Sequence, residues 1–221
     1  MRKIIMGLFL MGISFCVFAQ NGVIRESSGT VEVKKAGAAG YVPAKAGDTV
    51  SQDTVIYTGL RSTALVEVGS TVIAVRPLTR LTLTEIRASV GEETLNMSLQ
   101  AGRVRVDVNP PAGSRATMSI NSPIATASVR GTSFYFDTRN LRVEKGTVLF
   151  KGNRGYTIQA GAGTTSMVGR NGTASAPQSG AGYQASSPVG SDLSAGNTSQ
   201  ESMRSSGGNY GPGTIGIGVG Y

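Results

Sequence analysis

Arg130 is the charged residue with the most chemistry to offer in this chain. It stands in Val129-Arg130-Gly131-Thr132, between two apolar alternations, at a corner where only glycine has no Cβ to obstruct the turn. Its planar guanidinium suits a carboxylate or phosphate. The expected role is structural: Arg130 pairing with Glu144 or Asp137, Thr132 bonding a nearby backbone group, and Phe134 following in the next strand. A second basic candidate is the pair Arg103 and Arg105. Two residues apart in a strand-like run, they face the same way. They define an anion-binding face that Arg115, Arg139, Arg142, Lys145, Lys151 and Arg154 could extend.

Catalytic chemistry has little to work with. The 221 residues include no histidine, which removes imidazole acid–base chemistry and imidazole metal ligation. The carboxylates Asp48, Asp53, Glu67, Glu85, Asp107, Asp137 and Glu144 fall in turn sequences or on the polar side of strand patterns. No glycine-rich phosphate loop with a following Lys and Ser/Thr is present. The expectation is a protein that is not an enzyme, with no cofactor and no metal.

The elements that must position these residues are strands. From Asn21 to about Thr165 the apolar residues recur with period two: Val31 and Val33; Leu95, Met97 and Leu99; Val104, Val106 and Val108. That alternation marks half-buried strands with one face inward. Turn sequences such as Ala46-Gly47-Asp48, Val68-Gly69-Ser70, Gln100-Ala101-Gly102 and Glu144-Lys145-Gly146 punctuate them. The best helical candidate, Thr84 to Glu93, contains Gly91 and lacks an apolar stripe. An all-β fold is predicted, a single solenoid-like or sandwich-like domain over residues 22–163.

The ends of the chain read differently. Arg2 and Lys3 precede an uncharged apolar run, Ile4 to Phe18, with small residues Val17 and Ala19 before a cleavage position. Residues 1–19 therefore read as a signal peptide, which implies export to the periplasm or cell surface, with no transmembrane span in the mature chain. Lipid anchoring at Cys16 is the less favoured alternative, because Phe15 stands where a small residue belongs. Residues 164–213, rich in Gly, Ser, Asn and Gln, read as a flexible, disordered tail. Ile215, Ile217, Val219 and Tyr221 alternate with glycine in a short strand-like end, 214–221.

The formal charge is +8, and loss of Arg2 and Lys3 with the signal leaves about +6. An exported basic protein meets envelope proteins and anionic glycopolymers rather than nucleic acid.

An ordered string of motifs carries a resemblance. Ala46-Gly47-Asp48-Thr49-Val50, Thr58-Gly59, and Arg61-Ser62-Thr63-Ala64 are followed by Leu99 to Val106, LQAGRVRV. Then come Ser122-Pro123, Val129-Arg130-Gly131-Thr132-Ser133-Phe134, Val143 to Val148, and Gln159-Ala160-Gly161. In this order the segments resemble the FecR domain family over about 120 residues. The resemblance implies a periplasmic solenoid-like β domain. In founding members that domain belongs to an inner-membrane regulator that relays an iron–siderophore signal from an outer-membrane receptor to a cytoplasmic sigma factor. This chain is expected to lack the sigma-binding and membrane segments of those regulators. Its expected role is therefore a binding or scaffolding module in the cell envelope. The alternatives are a periplasmic signalling component tied to iron–siderophore regulation, and a structural surface or matrix protein.

Overall fold

Residues 20–179 are described by the computed structural model. The expectations placed on the signal segment 1–19, on Cys16, on the tail beyond Ser179 and on the 214–221 end lie outside the described residues.

Every regular element among the described residues is a strand, and the period-two pattern accounts for why. The first six are β1 (Gly22–Ser28), β2 (Val31–Lys34), β3 (Val42–Pro43), β4 (Thr49–Val50), β5 (Val55–Thr58) and β6 (Thr63–Val68). Next come β7 (Thr71–Val75), β8 (Arg80–Ser89), β9 (Glu92–Ala101), β10 (Arg103–Val108), β11 (Arg115–Asn121) and β12 (Ala125–Arg130). The last are β13 (Ser133–Asp137), β14 (Asn140–Lys145), β15 (Thr147–Gly152), β16 (Ile158–Gly161), β17 (Thr164–Met167) and β18 (Gln178–Ser179). The stretch Thr84 to Glu93, weighed as a helix, is the β8–β9 hairpin with Val90-Gly91 at its tip.

The strands form two open sheets and no closed barrel. Sheet I has the order β18-β17-β14-β13-β10-β7-β6-β1-β4, and sheet II β16-β15-β12-β11-β9-β8-β5-β2-β3. The chain passes between the sheets singly or in hairpins, and both sheets grow in the same direction along the sequence. This is how solenoid-like progression and a two-layer sandwich coexist. Pairing is antiparallel except between β9 and β11, which run parallel in register from Glu92↔Arg115 to Ser98↔Asn121. The strand between them in sequence, β10, lies in the other sheet, so this stretch is one coil of the solenoid.

Alternation sets the core. In β10, Val104, Val106 and Val108 are buried while Arg103, Arg105 and Asp107 face outward. In β15, Val148 and Phe150 point in while Leu149 points out. Phe136 from sheet I meets Phe150 from sheet II edge to face, with centroids 6.2 Å apart. One continuous apolar cluster joins the two inner faces. Each fully buried aliphatic or aromatic side chain contributes roughly 1.5–3 kcal/mol relative to exposure.

The expected boundary at residue 163 needs correction. Strand β17 lies inside the stretch read as a flexible tail. It pairs with β14, and β18 pairs with it in turn. Val168 is buried, and the Ser166 hydroxyl donates to the Ser175 carbonyl at 2.7 Å. Composition missed this because the added strands are held mainly through the main chain, which small polar residues supply as well as apolar ones.

Candidate functional site: a basic cleft on the outer face of sheet I

Buried hydroxyls set the geometry at one end of the sandwich. There β7 leaves sheet I and β10 enters it. Thr58 Oγ1 donates to the Arg76 carbonyl at 2.6 Å and accepts from Thr79 N–H at 3.1 Å. Thr79 Oγ1 accepts from Arg103 N–H at 3.0 Å and donates to the Arg103 carbonyl at 3.1 Å. A hydroxyl both donates and accepts, so one threonine can satisfy main-chain groups that the sheet ladder leaves over. These bonds hold the backbones of Arg76 and Arg103, and Arg76 N–H donates directly to the Arg103 carbonyl at 3.1 Å.

Register then gathers the side chains. Val75 is opposite Val104 and Arg103 opposite Asp137, while Phe136 is opposite Leu141. Arg76, one residue past the end of β7, thereby continues a row formed by Arg103, Asp137 and Asn140 on the outward face of sheet I. Arg139 projects from the β13–β14 turn beside them. Together with Leu78 and Tyr135 they line a cleft of about 730 Å³. Leu78 is 55 % exposed and sits at φ +56°, a left-handed backbone conformation that a leucine seldom adopts.

The electrostatics are unbalanced. Asp137 is the carboxylate of the cleft, and its oxygens are already engaged. They accept from the N–H groups of Arg139 and Asn140 at 2.9 and 2.7 Å, and from Asn140 Nδ2 at 3.0 and 2.9 Å. Arg103 Nη2 stands 4.0 Å from Asp137. Among the described residues, Arg76 and Arg139 have no carboxylate partner within ion-pair distance. Three guanidinium groups thus face one carboxylate whose lone pairs are largely occupied.

Arg105 shares the outward face of β10 with Arg103 but is spent within the fold. Its Nη2 lies 3.0 Å from Glu144 and 3.4 Å from Asp107, and its guanidinium sits 5.4 Å from the Tyr135 ring centroid. Its Nε is buried without a hydrogen-bond partner. The two arginines proposed together from sequence therefore separate: Arg103 opens onto the cleft, and Arg105 braces β10 against β13 and β14. Tyr135 is half-buried beneath Arg105, not packed on both faces like Phe134 and Phe136 beside it.

The signature corner lies elsewhere. Arg130 ends β12 exposed, and it forms no ion pair among the described residues. The partners expected for it are taken, Glu144 by Arg105 and Asp137 by the hairpin turn and Arg103. Gly131 has φ +60°, so its place in the corner is a matter of backbone conformation. Thr132 is buried, and its hydroxyl has no partner among the described residues, contrary to the backbone bond expected of it. Its carbonyl accepts from Val108 N–H at 3.0 Å, and Phe134 is wholly buried beyond it. The corner is a packing and turning device.

Arg76, Leu78 and Asn140 were not singled out from sequence, and Arg139 was named without its neighbours. One signal was present: the outward parity of β7, Val72 and Ala74, continues to Arg76 past the end of the apolar run.

Residues 54–153 match the family described as "FecR protein", and the chain carries a FecR domain there. Every cleft residue and the Arg130 corner fall inside that span. Two crystal structures of a protein described as "a putative anti-sigma factor from Parabacteroides distasonis ATCC 8503" are similar. Each has 16 % sequence identity, a TM-score of 0.46, and an alignment covering 57 % of this chain and 59 % of that one. This chain thus spans about three-fifths of the length of those structures. No curated protein matches the chain. Among the described residues, no helix is long and apolar enough to cross a membrane, and no cluster of three or more His, Cys, Asp or Glu could hold a metal ion.

Proposed function

We propose that this chain is a non-catalytic signalling component of the bacterial cell envelope, exported through its N-terminal segment and acting by contact with a protein partner. The FecR domain over residues 54–153 carries this reading. It favours the regulatory role over the scaffolding role first expected, because the family that the motifs resemble works by relaying a signal between proteins. The cleft adds a surface suited to such contact, with Arg103 on strand β10 and Arg76, Leu78 and Arg139 on the adjoining corners.

The test is transcriptional. A deletion strain and its complemented counterpart are compared by RNA profiling in iron-replete and iron-depleted growth. A regulatory component shifts a coherent set of transcripts in the deletion strain, and complementation restores them. Unchanged transcripts in both conditions, with altered detergent sensitivity of the envelope, would establish scaffolding instead.

A further inference from the structure

We propose that the cleft bounded by Arg76, Arg103 and Arg139 docks an acidic peptide segment of the partner protein, with an apolar side chain of that segment seated against Leu78. Charge complementarity is the first ground. Arg76 and Arg139 lack carboxylate partners among the described residues, and the nearest acid, Asp137, is held by the hairpin amides and Asn140. Arg103, at 4.0 Å from Asp137, is free to take a better acceptor. A guanidinium fork binds a carboxylate through two parallel N–H···O bonds, so a row of them selects a carboxylate-bearing chain.

The second ground is apolar. Leu78 is held exposed by a left-handed backbone, and Pro77 lies beside it on the cleft wall. The next corner adds Leu60, 73 % exposed, and Leu78 N–H donates to the Gly59 carbonyl at 3.2 Å. Exposed apolar residues, Leu78 strained among them, beside unpaired cations fit an amphipathic peptide. They do not fit a glycopolymer, which stacks its sugar rings on open aromatic faces. The cleft's aromatic ring, Tyr135, has Arg105 over its face.

Docking of this kind rests on the chain's acting through a protein partner. Peptide binding and transcriptional effect are separate readouts, so either can fail alone. The purified full-length secreted chain is used to select from a random peptide library displayed on phage. R76E/R139E and L78G serve as counter-selections. The three positions are exposed, and glycine relieves the left-handed φ at 78, so thermal melts of these variants should stay close to the wild type and are measured alongside. Selected peptides should combine Asp or Glu with a neighbouring Leu, Ile or Phe. R76E/R139E should weaken them about tenfold or more, and L78G several-fold. Raised salt should weaken binding further. No such enrichment, or affinity unchanged in R76E/R139E, overturns the proposal. So does displacement of the peptide by polygalacturonate or phosphatidylglycerol vesicles at equal charge, which would identify a glycan or lipid site.

Discussion

Gly102 joins β9 to β10 at φ +90°, between the Thr79 corner and Arg103. A Cβ at this position would overlap Thr79 Cα and Oγ1 and lie 2.7 Å from the Leu78 carbonyl oxygen. Two of those atoms are main chain, so no side-chain rotation relieves the contact. G102A therefore carries two costs. An L-residue forced into left-handed space loses about 1–2 kcal/mol. Overpacking against a fixed backbone costs about 1–3 kcal/mol more. The total is about 2–5 kcal/mol, and a loss near 3 kcal/mol lowers the melting temperature of a unit this size by roughly 6–12 °C. Gly37 separates the two terms. It has φ +72°, yet nothing lies within 4 Å of the position its Cβ would take. G37A should cost only the conformational 1–2 kcal/mol, or roughly 2–8 °C. Thermal and urea melts of both variants beside the wild type give the comparison. If G102A melts within about 1 °C of G37A, the crowding at the Thr79 corner has no energetic weight, and the account of how Arg103 is held falls with it.

Three further outcomes follow from single contacts. T132V should be neutral or stabilise by about 1 kcal/mol, because it replaces a buried hydroxyl without a partner by a methyl of the same shape; a loss above about 1 kcal/mol would mean the hydroxyl is bonded. R130A should leave stability within about 0.5 kcal/mol in urea melts, since Arg130 is exposed and forms no ion pair among the described residues; clear destabilisation would restore the structural pairing first expected of it. Arg25 holds Glu67 in a two-pronged bond at 2.7 and 3.1 Å, and that bond keeps the Glu67 carboxyl below its ordinary value. A depressed folded-state value means stability that is present above the unfolded carboxylate range and is lost as pH falls through the folded one. The gap in melting temperature between wild type and E67Q should therefore be small, as the pair is exposed, and should close on acidification; a gap that widens in acid refutes the assignment.

The fold was legible where side-chain alternation carries it. Val104, Val106 and Val108 announce the inner face of β10, and Phe134 and Phe136 that of β13. Strands made by backbone pairing of small residues leave no such trace, so composition alone assigns β17 and β18 to a tail. The site was legible in part. Arg103 could be placed on a strand face, but its row-mates come from the end of β7's run and from β13 and β14, and cross-strand register is a property of pairing that no local pattern encodes. The same limit misassigned Arg130. Asp137 and Glu144 are the acids that follow it in sequence, whereas the β13–β14 pairing brings Glu144 to Arg105.

The motif and the cleft occupy opposite ends of the same strand. Arg103, in the cleft, begins β10, while Val108 ends it and donates its N–H to the carbonyl of Thr132 in the Arg130 corner. At about 3.3 Å per residue the two lie roughly 17 Å apart. Glycine and hydroxyl residues are what a corner needs in order to turn, so a short sequence signature reports most strongly on turning. Recognition at the other end depends on charge, on register and on Leu78, none of which makes a contiguous motif. Variation of the cleft arginines between chains with the same Val-Arg-Gly-Thr corner would change the partner and leave the fold intact. Grafting a second FecR domain's residues at 76, 78, 103 and 139 onto this chain should therefore transfer peptide preference without moving the melt. Transfer of preference by exchange of residues 130–134 instead would place recognition at the corner.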